Sequence, residues 1–238
     1  MNSKQRSPQI FRKVFRIFWE KVGILVKMKH WEEFFSMKTD FNHSETKINL
    51  LRAFAGESQA RNRYTFAASA AKNANLHVLE AVFTFTADQE KEHAEIFYKH
   101  LAEAAGQNIT IDAAYPVDKG NDVLSLLKAA QHNEYEEYGD AYPAFGKIAE
   151  EEGFPVIAQH FKMIAEIEKT HGDRFGQFAE LLEQEKLFIS DVETGWMCLN
   201  CGHVMTGRQA PMVCPVCDHN QGYFIRLTMA PFVGCNSK

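Results

Sequence analysis

Two Glu-x-x-His pairs, Glu90/His93 and Glu168/His171, and two Cys-x2-Cys pairs, Cys198/Cys201 and Cys214/Cys217, are the residues of this chain best suited to hold metal. Residues three apart on a helix are neighbours, about 5–6 Å between Cβ atoms, so each Glu-x-x-His can turn a carboxylate and an imidazole toward one ion. A further Glu precedes each pair at similar distance, Glu57 by 33 positions and Glu137 by 31, which predicts a two-fold pseudosymmetric site. The cysteine pairs stand twelve residues apart, with Gly202 and Pro215 beside them to make tight turns. Four thiolates at that spacing select a tetrahedral zinc or iron, and spacing alone does not choose between them. His203 and His219 lie close by but are not needed once four thiolates are present.

The elements that must position these groups read as helices from about Ser44 to Leu182. The first spans about 44–73, with Ser44 and Thr46 both possible N-caps, and the second about 76–105 after a turn at Asn75. A loop with Pro116 and Gly120 leads to a third over about 122–152, which Pro143 must bend or locally disturb. Gly153 and Pro155 turn the chain into a fourth, ending near Gln184. Short connections within each pair and a longer one between pairs predict a four-helix bundle with one crossover.

The apolar stripes of these helices are interrupted by charge. The second reads Leu79, Phe83, Thr86, Glu90, His93, Phe97, Leu101; the fourth reads Ile157, Phe161, Ile164, Glu168, His171, Phe175, Phe178, Leu182. The first gives Leu50, Phe54, Glu57, Arg61, Tyr64 and Ala68, and the third Leu127, Ala130, Glu137, Asp140, Ala144 and Ile148. An unpaired ionised carboxylate cannot stay in an apolar interior. Five carboxylates, two imidazoles and one Arg therefore predict cations at the centre, two divalent ions offsetting most of five negative charges. A Glu from each of two helices plus Glu-x-x-His from the other two is the pattern of di-iron and di-manganese bundles. Glu92, Glu95, Glu134, Glu136, Glu150 and Glu166 are assigned to solvated faces, and His77, His100, His132 and His160 to surface or hydrogen-bonded positions.

Charge and cysteine usage set outer limits. The net charge is −5; residues 1–36 hold eight Lys/Arg and three Asp/Glu, a balance of +5, so the remainder carries −10. So acidic a body excludes a nucleic-acid surface. Five cysteines, four of them clustered, indicate metal in a reducing, cytoplasmic compartment rather than a disulfide scaffold, with Cys235 left over. Residues 10–26 are basic and amphipathic, too often interrupted by charge to span a membrane and without a secretory cleavage pattern. They read either as an interfacial helix or as an extension docked on its own protein, Met28 and Met37 being alternative starts. The expected organisation is an N-terminal extension (1–43), a helical domain (44–186) and a small metal-binding domain (193–230).

Residues 45–229 resemble the rubrerythrin family through AFAGESQARNRY (53–64), DQEKEH (88–93), EEYGDAYPAFGKIAEEEGF (136–154), EIEKTH (166–171) and WMCLNCG…CPVC (196–217). The resemblance implies a mainly α fold, a ferritin-like four-helix bundle followed by a small β-rich rubredoxin-like domain. It implies two irons on Glu57, Glu90, His93, Glu137, Asp140, Glu168 and His171, with Tyr64 and Tyr142 donating to ligating carboxylates, and one iron on Cys198, Cys201, Cys214 and Cys217. The family usually has Glu where Asp140 stands, a shorter side chain that would loosen contact with a metal. The implied activity is a peroxidase reducing hydrogen peroxide to water, fed by a rubredoxin or flavoprotein reductase, in a head-to-tail homodimer. An oxygen reductase, a ferroxidase or iron-handling protein, and an iron-binding or zinc-binding structural protein are the rival readings.

Overall fold

In the computed structural model, residues 39–118, 120 and 122–231 are described; the basic N-terminal segment and Cys235 lie outside them. Among the described residues the chain forms α1 (Glu45–Asn73), α2 (His77–His100), α3 (Val123–Glu136), α4 (Tyr142–Glu151) and α5 (Pro155–Glu183). Three strands follow: β1 (Ile189–Cys198), β2 (Val204–Gln209) and β3 (Phe224–Arg226). No helix among these residues is long and apolar enough to cross a membrane.

The helix ends follow local chemistry. Ser44, not Thr46, caps α1: its Oγ accepts from Lys47 N at 3.1 Å, while Thr46 is fully buried and donates to Glu152. Asp122 caps α3 through Ser125 N at 2.9 Å. Asn75 turns α1 into α2 in the left-handed region at φ 57°, which Asn tolerates better than most residues. The crossover between helix pairs is tied along α1, with Arg52 reaching the Asp112 carboxylate at 2.6 Å and Arg63 reaching Asp118 at 3.1 Å.

The third long helix is broken where Pro143 led one to expect it. Glu137–Ala141 form a π-helical turn between α3 and α4. The wider turn inserts one residue into the repeat, as π-bulges do, so the buried positions run Leu127, Ala130, Glu134 and then Tyr142, Gly146, Ala149. Asp140 and Ala144, which an unbroken helical period places inward, are exposed. On α1 the inward position is Ala60 rather than Arg61, which faces solvent.

The bundle interior is layered. One apolar cluster holds Leu50, Ala53, Phe97, Tyr142, Phe161 and Ile164 among others. A second holds Ala60, Tyr64, Leu79, Phe83, Leu127, Phe175 and Phe178. Between them on α1, α2, α3 and α5 lie Glu57, Glu90, His93, Glu134, Glu168 and His171, every one at most 5% exposed. A polar layer sealed between two apolar plugs needs its charges compensated within the layer.

The sheet has the order β2-β1-β3, antiparallel throughout, with Trp196 opposite both Met205 and Arg226. Its own core is small: Trp196, Cys198, Ala210, Cys214 and Phe224. This module packs against the α1–α2 end of the bundle. Ile225 joins the bundle's apolar cluster, and the Tyr223 ring stacks on His77 with centroids 4.0 Å apart. Gly222 makes the closest approach, since a Cβ there would stand 1.8 Å from the Asn75 carbonyl oxygen. Backbone on both sides leaves nothing flexible to give way. Gly222→Ala is expected to cost about 1–3 kcal/mol, the usual penalty of overpacking, read as a lowered denaturation midpoint of the whole chain; an unchanged midpoint would show that the two surfaces separate freely.

Candidate metal centres

Helical spacing gathers six of the buried polar groups into two overlapping sets. Ligand atoms of Glu57, Glu90, His93 and Glu168 all lie within 4.8 Å of one another, and so do those of Glu90, Glu134, Glu168 and His171. Glu90 and Glu168 belong to both. Glu90 turns Oε2 to His93 Nδ1 at 3.1 Å and Oε1 to His171 Nδ1 at 3.0 Å. Glu168 turns Oε1 to His93 Nδ1 and Oε2 to His171 Nδ1, each at 2.9 Å. Two carboxylates thus divide their oxygens between two imidazoles whose rings are stacked 5.6 Å apart. This is a double bridge, with Glu57 and His93 completing one side and Glu134 and His171 the other.

The outer carboxylates are held by buried phenols. Tyr142 donates to Glu57 Oε1 and Tyr64 donates to Glu134 Oε1. Each arrangement leaves the Oε2 atom facing the centre, where Glu57 Oε2 and Glu134 Oε2 are buried without a hydrogen-bond partner. Both Glu168 oxygens and His171 Nδ1 are likewise buried at contact distance but outside hydrogen-bond geometry. Cations between these atoms would satisfy all of them at once, and the donor set of carboxylate and imidazole suits iron or manganese.

The electrostatics agree with a cation site. Burial, reinforced by Glu168, Glu137 and Glu90, drives the Glu57 carboxyl well above its ordinary range. Burial and Glu90 raise Glu134 to about 8. Burial also acts to raise Glu90, but the His171 imidazole at contact distance and the hydrogen bond with His93 bring it down to about 2. Against burial, the carboxylates raise His93 to about 9 and His171 to about 12. The centre therefore draws positive charge.

Glu57, Glu90, His93, Glu168 and His171 are brought together as the stripes implied; Asp140 and Glu134 exchange roles. Asp140, expected among the ligands, is exposed and joins neither set, because the π turn shifts the inward positions to Glu134 and Tyr142. Glu134, expected on a solvated face, is 1% exposed and completes the second set. Glu137 opens the π turn half-buried, its carboxyl near Gly56 and raised by burial and by Glu134, Glu168 and Glu90. Of these groups it is the residue least completely buried. Glu134 also precedes Glu168 by 34 positions, close to the 33 between Glu57 and Glu90, a signal available in the sequence. Asp140→Ala is expected to leave metal content unchanged and Glu134→Ala to reduce it, measured as metal per chain; the reverse pattern would make Asp140, and not Glu134, the ligand.

The four cysteines converge in the C-terminal module. Cys198 Sγ lies 3.8 Å from Cys217 Sγ, and Cys201 Sγ lies 3.7 Å from Cys214 Sγ. A tetrahedron with metal–sulfur bonds of about 2.3 Å has edges of about 3.8 Å, whereas a disulfide needs about 2.05 Å. Two matching turns present them. Gly202 N donates to Cys198 O at 2.8 Å and Asp218 N to Cys214 O at 3.0 Å, with Gly202 and Asp218 both at positive φ. Asp218, rather than Pro215, supplies the left-handed residue of the second turn. The His219 backbone N–H favours the Cys217 thiolate, whose pKa falls to about 6.

A ferritin-like bundle with a doubly bridged carboxylate–histidine centre, followed by a four-cysteine module, defines a di-iron protein carrying its own rubredoxin-like site. The rubrerythrin family model matches residues 49–179, and the model of the rubrerythrin rubredoxin-like domain matches residues 196–225. The chain belongs to the rubrerythrin family. It is 44% identical to a rubrerythrin of Porphyromonas gingivalis over 79% of this chain and 94% of that one. It is 43% identical to a rubrerythrin of Clostridium perfringens, covering 76% and 93%. Among solved structures, nigerythrin in a mixed-valence state superposes with a TM-score of 0.51 at 25% identity, over 80% of this chain and 93% of that one. A bacterioferritin of Desulfovibrio desulfuricans shares the bundle fold, TM-score 0.54 at 23% identity over 60% and 82%.

Proposed function

We propose that this protein is a peroxidase that reduces hydrogen peroxide to water at the bundle centre, with electrons returned through the four-cysteine iron. The observation that carries this reading is the pair of carboxylates, Glu90 and Glu168, whose oxygens are split between His93 and His171. Glu57, Glu90, His93, Glu134, Glu168 and His171 would hold two irons, with Glu137 beside them, and Cys198, Cys201, Cys214 and Cys217 the third. Held there in reduced form, the pair would supply two electrons at once, which with two protons takes hydrogen peroxide to two waters without releasing a hydroxyl radical.

The chain's own residues make that chemistry selective. Tyr64 and Tyr142 fix the Glu134 and Glu57 carboxylates by hydrogen bonds, so each keeps one oxygen aimed inward. Phe97 and Phe161 on one side and Phe83 and Phe175 on the other exclude water from the layer. Glu137, half-buried beside this closed layer, marks the side from which a small oxidant approaches. The electron donor is an external rubredoxin or flavoprotein reductase, in a reducing cytoplasm where unpaired cysteines persist. In a head-to-tail homodimer, the four-cysteine site of one chain would serve the bundle of its partner. Rapid mixing of the fully reduced protein with peroxide and with oxygen tests the reading. Oxidation much faster by peroxide is expected; faster oxidation by oxygen would make this an oxygen reductase or a ferroxidase.

A further inference from the structure

Two histidines outside both metal centres face each other across the bundle. His100, the last residue of α2, and His160, in the second turn of α5, bring Nε2 and Nδ1 to 2.6 Å, with ring centroids 4.9 Å apart. Both are half-buried, so the pair is screened from bulk water yet open to it. They are separate from the di-iron layer. His100 follows His93 by seven residues and His160 precedes Glu168 by eight, which at 1.5 Å per residue is about 10–12 Å along the axis. The stacked rings of Phe97 and Phe161, 4.9 Å apart, belong to the apolar plug on that side of the layer.

The geometry points to an auxiliary site for one divalent transition ion of the zinc–copper class, held by His100 Nε2 and His160 Nδ1. Imidazole is a ligand of choice for such ions. At a metal–nitrogen distance of about 2.0–2.1 Å and a tetrahedral angle, the two nitrogens would stand about 3.3 Å apart. Small rotations of the two rings open the present contact by that much, and the ion then replaces the shared proton. Each ring already points a nitrogen at the other, so the ligands are preorganised. The setting also favours a cation: α2 passes at His100 into a 3-10 turn, Leu101–Ala104, so the negative end of the helical run lies just beyond the pair. His160 is past the first turn of α5, where the opposite, positive end acts. Burial and the neighbouring His160 lower the His100 pKa, which leaves the ring free of its second proton at neutral pH. Water completes the coordination, since among the described residues no third His, Cys, Asp or Glu joins these two in a cluster.

The test uses the full-length, iron-loaded protein dialysed against micromolar free zinc, with zinc and iron measured per chain. The wild type is expected to take up one zinc without losing iron. His100→Gln and His160→Gln are each expected to lose that zinc, while His132→Gln, at an exposed position, keeps it. Copper(II) added in place of zinc should show coupling to two imidazole nitrogens in its electron paramagnetic resonance spectrum. Each variant removes one ligand, so either suffices if the other folds poorly. No zinc uptake by the wild type, or equal uptake by wild type and both variants, would overturn the site.

Discussion

Glu168→Ala is expected to strip both irons from the bundle while the visible colour of the ferric four-sulfur site survives. Glu168 sends one oxygen to each imidazole, so its removal takes a ligand from both sides of the centre at once. Removing Glu57 or Glu134 would take a ligand from one side only. The charge balance also turns against metal. Glu90, Glu57 and Glu134 would remain beside His93 and His171, and without the second bridge the imidazoles lose a carboxylate at 2.9 Å. Breaking a buried charged cluster by deleting one partner costs about 3–5 kcal/mol in general, so the metal-free variant should also melt earlier than the metal-free wild type. Cys198, Cys214 and Cys217 pack in a separate core around Trp196 and Phe224, with Cys201 exposed beside them, and that core shares no residue with this layer. Iron analysis with a visible spectrum reads both sites together. Retention of bundle iron in the variant would refute the double bridge, and loss of the ferric–sulfur colour with it would refute the independence of the two centres.

The parts of this site that could be read from sequence are those on unbroken helices. Glu90 and His93 sit among Leu79, Phe83 and Phe97, and Glu168 and His171 among Phe161, Ile164 and Phe175, on stripes that keep one period from end to end. Charge at such positions is conspicuous because its neighbours are apolar. The third long helix defeated the same reasoning. Pro143 marked an irregularity there, but a proline does not say whether the chain kinks, frays or gains a residue. The π turn at Glu137–Ala141 gains one, so a period carried forward from Leu127 points to Asp140 and Ala144 where the structure buries Tyr142 and Gly146. Glu134 reads as solvated for a different reason: it lies between Asn133 and Tyr135, in a stretch whose polarity resembles a solvated face, and the Tyr64 hydroxyl that accounts for its burial comes from 70 residues away. In the C-terminal module the cysteine turns were legible, because ligand spacing is local. Its seat on the bundle was not, since the contacts are single residues, Tyr223 on His77 and Gly222 against Asn75, too few to leave a periodic signature.

Cys214→Ser should unfold the C-terminal module and leave the bundle intact. Cys214 is fully buried in a core of five residues, one of three short strands and two turns. A core that small rarely supplies enough burial to fold by itself. Structural metal does so elsewhere, with apparent binding energies of about 10–16 kcal/mol for zinc-finger peptides. Serine offers a hard, protonated oxygen in place of a thiolate, and the turn closed by Asp218 N on Cys214 O loses the ion that gathers all four sulfurs. The bundle has its own apolar clusters and its own caps, so its helices do not depend on that ion. Hydrogen exchange separates the outcomes by element. Amides of β1, β2 and β3 are expected to lose protection, and those of α1, α2 and α5 to keep it. Turnover of peroxide driven by a protein donor should fall to background, while a small chemical reductant still reduces the bundle irons. A protected sheet without metal would show that docking through Ile225 and Tyr223 alone folds the module. Undiminished donor-driven turnover would remove the four-cysteine iron from the electron path.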